Sequence, residues 1–173
     1  MSVYQPPLDR IRQYCADWHD MAKCNYGKNP YVIHLDMVVS FARLIGEEDY
    51  SFLQACYGHD ILEDTKVTAE VLRIYGFTEE AITLIDLVTN KPGKNRQERH
   101  TNTYPAIAAN DRARKLKICD RMANISFTFI TENYRLLDMY SKEHPAFLSY
   151  FFRVEDSIEV DKLWDRMEKM LEF

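Results

Sequence analysis

The sequence predicts an all-α protein, and three observations carry that expectation. Apolar residues recur at three- and four-residue spacing along nearly the whole chain. Five Gly and six Pro in 173 residues leave little material for the turns of an all-β fold. The apolar and charged fractions, 46% and 28%, are those of an ordinary globular protein long enough to bury a core.

The elements follow in order. After Pro6-Pro7, a helix is expected from about Leu8 to Lys23, with Ile11, Tyr14, Cys15, Trp18 and Met21 or Ala22 as its apolar stripe. Asn25 to Pro30 reads as a turn. A second helix runs from about Tyr31 to Leu44 and breaks at Gly46. A third starts near Asp49 or Ser51 and carries FLQACYGHDILED without interruption. Thr68 before Val71-Leu72 reads as a capped start of a short helix that ends at Gly76. A further helix spans about Thr78 to Val88, with Ala81, Leu84, Ile85 and Val88 inward. The polar stretch Asn90 to Thr103, with Pro92 and Gly93, reads as a loop. Arg112 to Phe129 is helical again, and from Pro145 a pair of turns leads to a last helix ending near Leu171. No repeat, low-complexity tract or linker appears, so residues 1–173 are expected to form a single compact helical domain.

Charge and cysteines limit the function classes. A net charge of −5 argues against general binding to nucleic acid or a membrane surface. Cys15, Cys24, Cys56 and Cys119 form no CxxC pair and sit among apolar or helix-forming residues, which predicts free, mostly buried thiols and a reducing compartment. MSVYQPPLDR has no signal-peptide pattern, and no run of about 18 apolar residues exists to span a membrane. The expectation is a cytoplasmic protein. The apolar C-terminal helix with Trp164 offers a surface for a homo-oligomer.

Polar residues in apolar surroundings point to the chemistry. His59, Asp60, Glu63 and Asp64 interrupt an otherwise apolar helix, and at helical spacing 59 and 63 share a face, as do 60 and 64. His34 interrupts YVIHLDMVVSF; Asp120 interrupts LKICDRMANISF, with Asn124 one turn on. Burying such groups costs several kcal/mol or more unless they are paired or bound to metal. One divalent cation held by His34, His59, Asp60 and Asp120 accounts for all of them. This mixed nitrogen and oxygen set suits Mn²⁺, Fe²⁺ or Zn²⁺ better than Ca²⁺. Four protein ligands leave a six-coordinate ion room for water and substrate, the requirement of a catalytic site. Nine of the 22 basic residues fall between 91 and 121: Lys91, Lys94, Arg96, Arg99, Arg112, Arg114, Lys115, Lys117 and Arg121. A positive field beside Asp120 in an acidic protein suits a phosphorylated substrate. His19, His100 and His144 have no partner pattern and read as surface.

The order His34, His59-Asp60, Asp120 resembles the H…HD…D signature of HD-domain phosphohydrolases. HDILEDT (59–65) is similar to the HDxxEDT motif of the hydrolase domains of RelA/SpoT-type alarmone enzymes. PYVIHLDMVVSFA (30–42), LKICDRMANI (116–125) and IYGFTEEAITLIDLVTN (74–90) resemble further elements of that family, in family order. The similarity covers about residues 8 to 130, and the C-terminal helices fit the stand-alone small alarmone hydrolases. Leu35 stands where the family has Pro, and before the PY element this chain offers only Lys23 and Lys28.

The resemblance implies an HD fold, one metal ion (Mn²⁺ first) on those four ligands, and removal of 3′-pyrophosphate from ppGpp or pppGpp. It implies that Glu63 orients or deprotonates water and that Asp64 passes a proton to the leaving 3′-oxygen. For nucleotide contacts, the positive field and the alignment point to Lys28, Lys91, Lys94, Arg96, Arg99, Lys115, Asn124 and Tyr150. Two other readings stand beside this one. The same scaffold could serve another nucleotide phosphohydrolase, such as an NADPH phosphatase or a 5′-nucleotidase. A non-catalytic nucleotide-binding HD module is the third, although Glu63 and Asp64 would be superfluous in it.

Overall fold

The computed structural model describes residues 5–172. The N-terminal reading over residues 1–10 rests in part on residues 1–4, which lie outside the described residues, as does Phe173.

The architecture is all-α, as the sequence predicts. The helices are α1 (Leu8–Met21), α2 (Val32–Leu44), α3 (Tyr50–Gly58), α4 (Ile61–Asp64), α5 (Ala69–Ile74), α6 (Glu79–Val88), α7 (Arg96–Ala108), α8 (Asp111–Ile130), α9 (Tyr134–Phe151) and α10 (Ile158–Leu171). The turn after α1 is closed by two-residue strands, β1 (Asn25–Tyr26) and β2 (Asn29–Pro30), paired antiparallel. Gly27, at φ +64°, makes that reversal. Among the described residues no helix is long and apolar enough to cross a membrane.

Side-chain oxygens set where the helices start. Asp49 accepts from the Phe52 N–H, Thr78 from Ala81 and Asn110 from Ala113, each relieving an orphan donor of a first turn. Helix α8 runs through the centre, packed on α2, α7, α9 and α10, and twelve of its twenty residues are buried. The expected core residues Ala81, Leu84, Ile85 and Val88 of α6 are all buried, and α6 packs on α3. Gly58 permits that close approach: a Cβ there would lie 2.6 Å from Ile85 Cδ1.

Several local expectations are corrected. The third helix is not continuous. It stops at Gly58, His59-Asp60 form a bend, and α4 restarts at Ile61. Most of the expected 90–103 loop is helix α7, because Asn95 caps it by accepting from the Glu98 N–H and Thr103, Tyr104 and Ile107 anchor its inner face. Its polar composition reflects an exposed outer face. Pro145 does not start a pair of turns but lies inside α9. Met21 is exposed, so the α1 stripe ends before it. Trp164 is buried against His144, Phe147 and Phe152, and so packs within the chain rather than presenting a surface. Cys15, Cys56 and Cys119 are buried free thiols, and Cys24 is a half-buried one.

Candidate metal centre and active-site cavity

Three helix segments bring the interrupting polar residues to one point. His34 lies in the first turn of α2, His59-Asp60 form the bend between α3 and α4, and Asp120 is mid-α8. The bend has a purpose. Successive residues of a regular helix diverge by about 100°, whereas the break lets His59 and Asp60 face the same point.

The geometry is tight. His34 Nε2 and His59 Nε2 lie 3.1 Å apart. Asp60 Oδ2 is 3.5 Å from the first and 3.0 Å from the second. Asp120 Oδ1 is 3.3 Å and 3.6 Å from the same two nitrogens. His34, His59 and Asp120 are buried, and one ligand atom from each lies within 4.8 Å of the others. Ligand bonds of about 2.1 Å meeting at right angles place neighbouring donors about 3 Å apart, the spacing found here.

The surroundings also fit a cation. His59 Nδ1 is 2.9 Å from the Cys56 carbonyl, so that nitrogen donates and the Nε2 lone pair is left free. Tyr31 Oη donates to Asp60 Oδ2 at 2.5 Å. Asn124 Nδ2 donates to Asp120 Oδ1 at 2.7 Å, and Lys117 Nζ donates to Asp120 Oδ2 at 2.9 Å. Asn124 is itself oriented by Tyr26, whose hydroxyl donates to Asn124 Oδ1.

Without an ion, the cluster calls for positive charge. Burial opposes charge on His34 and His59, yet the facing carboxylates raise both imidazoles above their ordinary range. Burial pushes Asp60 and Asp120 up, but His59 and Lys117 respectively outweigh it and hold both well below the carboxylate range. A divalent cation supplies that charge at the convergence point. The donor set can therefore hold one divalent metal.

Glu63 and Asp64 are exposed, and Asp64 lines a surface pocket with Trp18, Thr65 and Val71. Both oxygens of Glu63 are engaged by Asn90, one with its backbone N–H at 2.7 Å and one with its amide at 3.0 Å. Asp64 is pushed up to about 6 by partial desolvation and by the charges of Asp60 and Glu63.

A cavity of about 210 Å³ opens beside the cluster, lined on this side by Asp60, Asn90, Lys117, Asp120 and Asn124. Its far wall holds Arg96, His100 and Tyr104, which also line a larger adjoining groove of about 640 Å³. Of the residues read from sequence as nucleotide contacts, Asn124 lines the cavity, Tyr150 lines the groove and Arg96 lines both. Lys28, on the β-hairpin, and Lys91 and Lys94, before α7, are exposed; Arg99, on α7, is half-buried. None of the four lines either space. Lys115 is not brought to the site: it pairs with Glu47 and Asp111 and lines a separate surface pocket.

Three residues read as surface are not. His19 is fully buried, its Nδ1 2.8 Å from the Cys15 carbonyl and its ring stacked on Tyr31. His144 is buried beneath Trp164. His100 stacks on Tyr104 in the cavity wall, and burial with the neighbouring Arg96 charge lowers it to about 4. Sequence reasoning assigned no role to Tyr26 or Tyr31 and read His19 as surface, because none of the three stands in a ligand or acid–base spacing pattern.

An all-α fold that brings His34, His59 and Asp120 together in its interior, with Asp60 beside both imidazoles, offers a candidate site for a divalent metal. No known protein-family model matches the chain. Among solved structures it is similar to a metazoan ortholog of SpoT, a protein described as hydrolyzing ppGpp and playing a role in starvation responses. The TM-score is 0.78 at 20% identity, covering 99% of each chain. The two share a fold over essentially their whole lengths.

Proposed function

We propose that this chain is a metal-dependent phosphohydrolase of the HD type that removes 3′-pyrophosphate from ppGpp or pppGpp, with residues 1–173 as one domain. The observation that carries the reading is the convergence of His34, His59, Asp60 and Asp120 beside a cavity walled by Arg96 and Lys117. Likeness of fold to a protein described as hydrolyzing ppGpp supports the same substrate, as does the HDxxEDT resemblance. Mn²⁺ is the proposed ion. The buried free thiols support a cytoplasmic location.

When bound, a divalent ion would supply Lewis acidity, making a water easier to deprotonate and, by polarising a phosphoryl oxygen, the phosphorus more electrophilic. The four ligand residues hold it; Tyr31, Lys117 and Asn124 orient the two carboxylates. Glu63 aligns the attacking water and takes its proton, with Asn90 fixing the carboxylate at the cavity rim. Water adds to the phosphorus bonded to the 3′-oxygen, and the bond between them breaks. Asp64 returns a proton to the leaving oxygen, giving GDP or GTP and pyrophosphate. Arg96 and Tyr150 hold the nucleotide in the groove. Lys28, Lys91, Lys94 and Arg99 contribute field rather than contact.

A substrate panel with Mn²⁺ tests the reading: ppGpp, pppGpp, NADPH and common 5′-monophosphates. Pyrophosphate from ppGpp, abolished by a chelator and restored by Mn²⁺, is the expected result. Orthophosphate from NADPH or a monophosphate would transfer the reading to another nucleotide phosphohydrolase. No turnover of any compound by the metal-loaded protein would favour a binding module.

A further inference from the structure

Where the cavity meets the groove lies a charge arrangement of which the proposed chemistry uses only Arg96: Arg96 and Arg121 line the cavity, and Glu143 lines the groove. Glu143, on α9, accepts from two guanidinium groups at once. Arg96 of α7 donates through Nε at 2.6 Å and through a terminal nitrogen at 3.3 Å. Arg121 of α8 donates to the second oxygen at 2.9 Å. The two arginines differ in environment. Arg96 is 45% exposed, whereas Arg121 is 4% exposed. Arg121 is further fixed by a bond to the Tyr140 carbonyl and by lying over the rings of Tyr140 and Phe147.

Two positive charges share one carboxylate, and the buried Arg121 Nε–H has no acceptor among the described residues. Both arginines line the 210 Å³ cavity with Lys117. Burial opposes the charge on Glu143, but the hydrogen bonds from Arg96 and Arg121 outweigh it and hold the carboxyl below its ordinary range. It is therefore an anion at neutral pH. A two-oxygen anion on an arginine fork is the geometry by which guanidinium groups take phosphate. Glu143 thus sits where a phosphate group of a ligand would sit.

We propose that Glu143 is a resident competitor at an anion subsite of Arg96 and Arg121, displaced from Arg96 when a second phosphate group of the substrate enters the cavity. The inference rests on the phosphohydrolase reading for what the substrate is, but not for whether an anion binds. Arg121, tied from three sides, stays; Arg96, half in solvent, changes partner. A first phosphate group goes to the metal side and leaves Glu143 in place; a second, free or on the same ligand, takes the Arg96–Arg121 subsite. A nucleotide phosphorylated at two positions displaces it. Glu143 is then a specificity-determining residue that raises KM without touching the reacting atoms.

The test is Glu143→Gln, which keeps the size and one acceptor but removes the charge. The probe is inorganic phosphate, titrated calorimetrically into metal-loaded protein, and the quantity read is the affinity for the second phosphate bound. Removing a half-buried carboxylate that competes for Arg96 is expected to tighten phosphate binding about five-fold. If ppGpp is the substrate, KM should fall by a similar factor while kcat stays level, and in an Arg96→Ala background the substitution should lose its effect. Unchanged or weaker phosphate binding would overturn the proposal, because Glu143 would then be holding the arginines for the ligand rather than from it. Should Glu143→Gln fail to fold, the wild-type protein still decides: on phosphate addition the Arg96 Nε–H NMR signal should shift and that of Arg121 should not. No shift at Arg96 would be equally fatal. Tightened phosphate binding in a protein that turns over no ppGpp would leave this inference standing and remove the substrate assignment instead.

Discussion

The two sides of the cavity are built on opposite principles. On the α2, α3 and α8 side, His34, His59 and Asp120 are buried, and outer partners fix His59, Asp60 and Asp120. On the α7 and α9 side, Arg96 is exposed and Glu143 and His100 are half-buried, and Arg96 bonds to Glu143 across the space between the helices. Buried, cross-braced donors are preorganised for an ion of fixed size. Half-exposed ion pairs are worth little individually and exchange partners cheaply. In the proposed reading, the contrast separates a side that holds the reaction from a side that receives the nucleotide.

The account can be broken or sharpened on each side. The largest effect is expected at the rim of the metal side. Glu63→Ala should lower turnover by about 10²- to 10⁴-fold, the usual contribution of a positioned general base. Metal content, measured by elemental analysis, should not change. A variant that loses metal as well would make Glu63 a structural member of the site.

Gly58→Ala tests the frame that sets the bend. The added methyl meets Ile85 Cδ1 at 2.6 Å, and overpacking of this kind costs about 1–3 kcal/mol. Chemical denaturation should show that loss; unchanged stability would mean that α3 and α6 adjust freely. Tyr31→Phe removes the hydrogen bond to Asp60 Oδ2. Metal affinity should fall about ten-fold, the low end for outer partners of metal ligands, with secondary structure intact by circular dichroism. The smallest effect is expected at Lys115→Ala, on the helix that carries Asp120. Its ion pairs lie outside the cavity, so KM should move less than about two-fold, and a large rise would place Lys115 in the nucleotide path.

The same contrast explains what could be read without coordinates. His34, His59, Asp60 and Asp120 stood out because charged or imidazole groups in apolar helices demand an explanation. Helix α7 did not stand out: only Thr103, Tyr104 and Ile107 anchor it, and its polar face with Pro92 and Gly93 just before it mimics a loop. The break at His59-Asp60 has no glycine or proline of its own after Gly58, so periodicity ran through it. Tyr31 and His19 escaped because their stacking joins α1 to the start of α2, a pairing no local pattern marks. The pairing of Arg96 with Glu143 joins residues 47 positions apart on different helices, a relation no local pattern encodes.

The central claim is that four residues hold one divalent ion at a single point, and Mn²⁺ titration followed by calorimetry tests it most directly. The account predicts one ion per chain for the wild-type protein, and loss of both that ion and phosphohydrolase activity in Asp120→Ala. Stoichiometric Mn²⁺ retained by Asp120→Ala, or no Mn²⁺ bound by the wild-type chain, would contradict it.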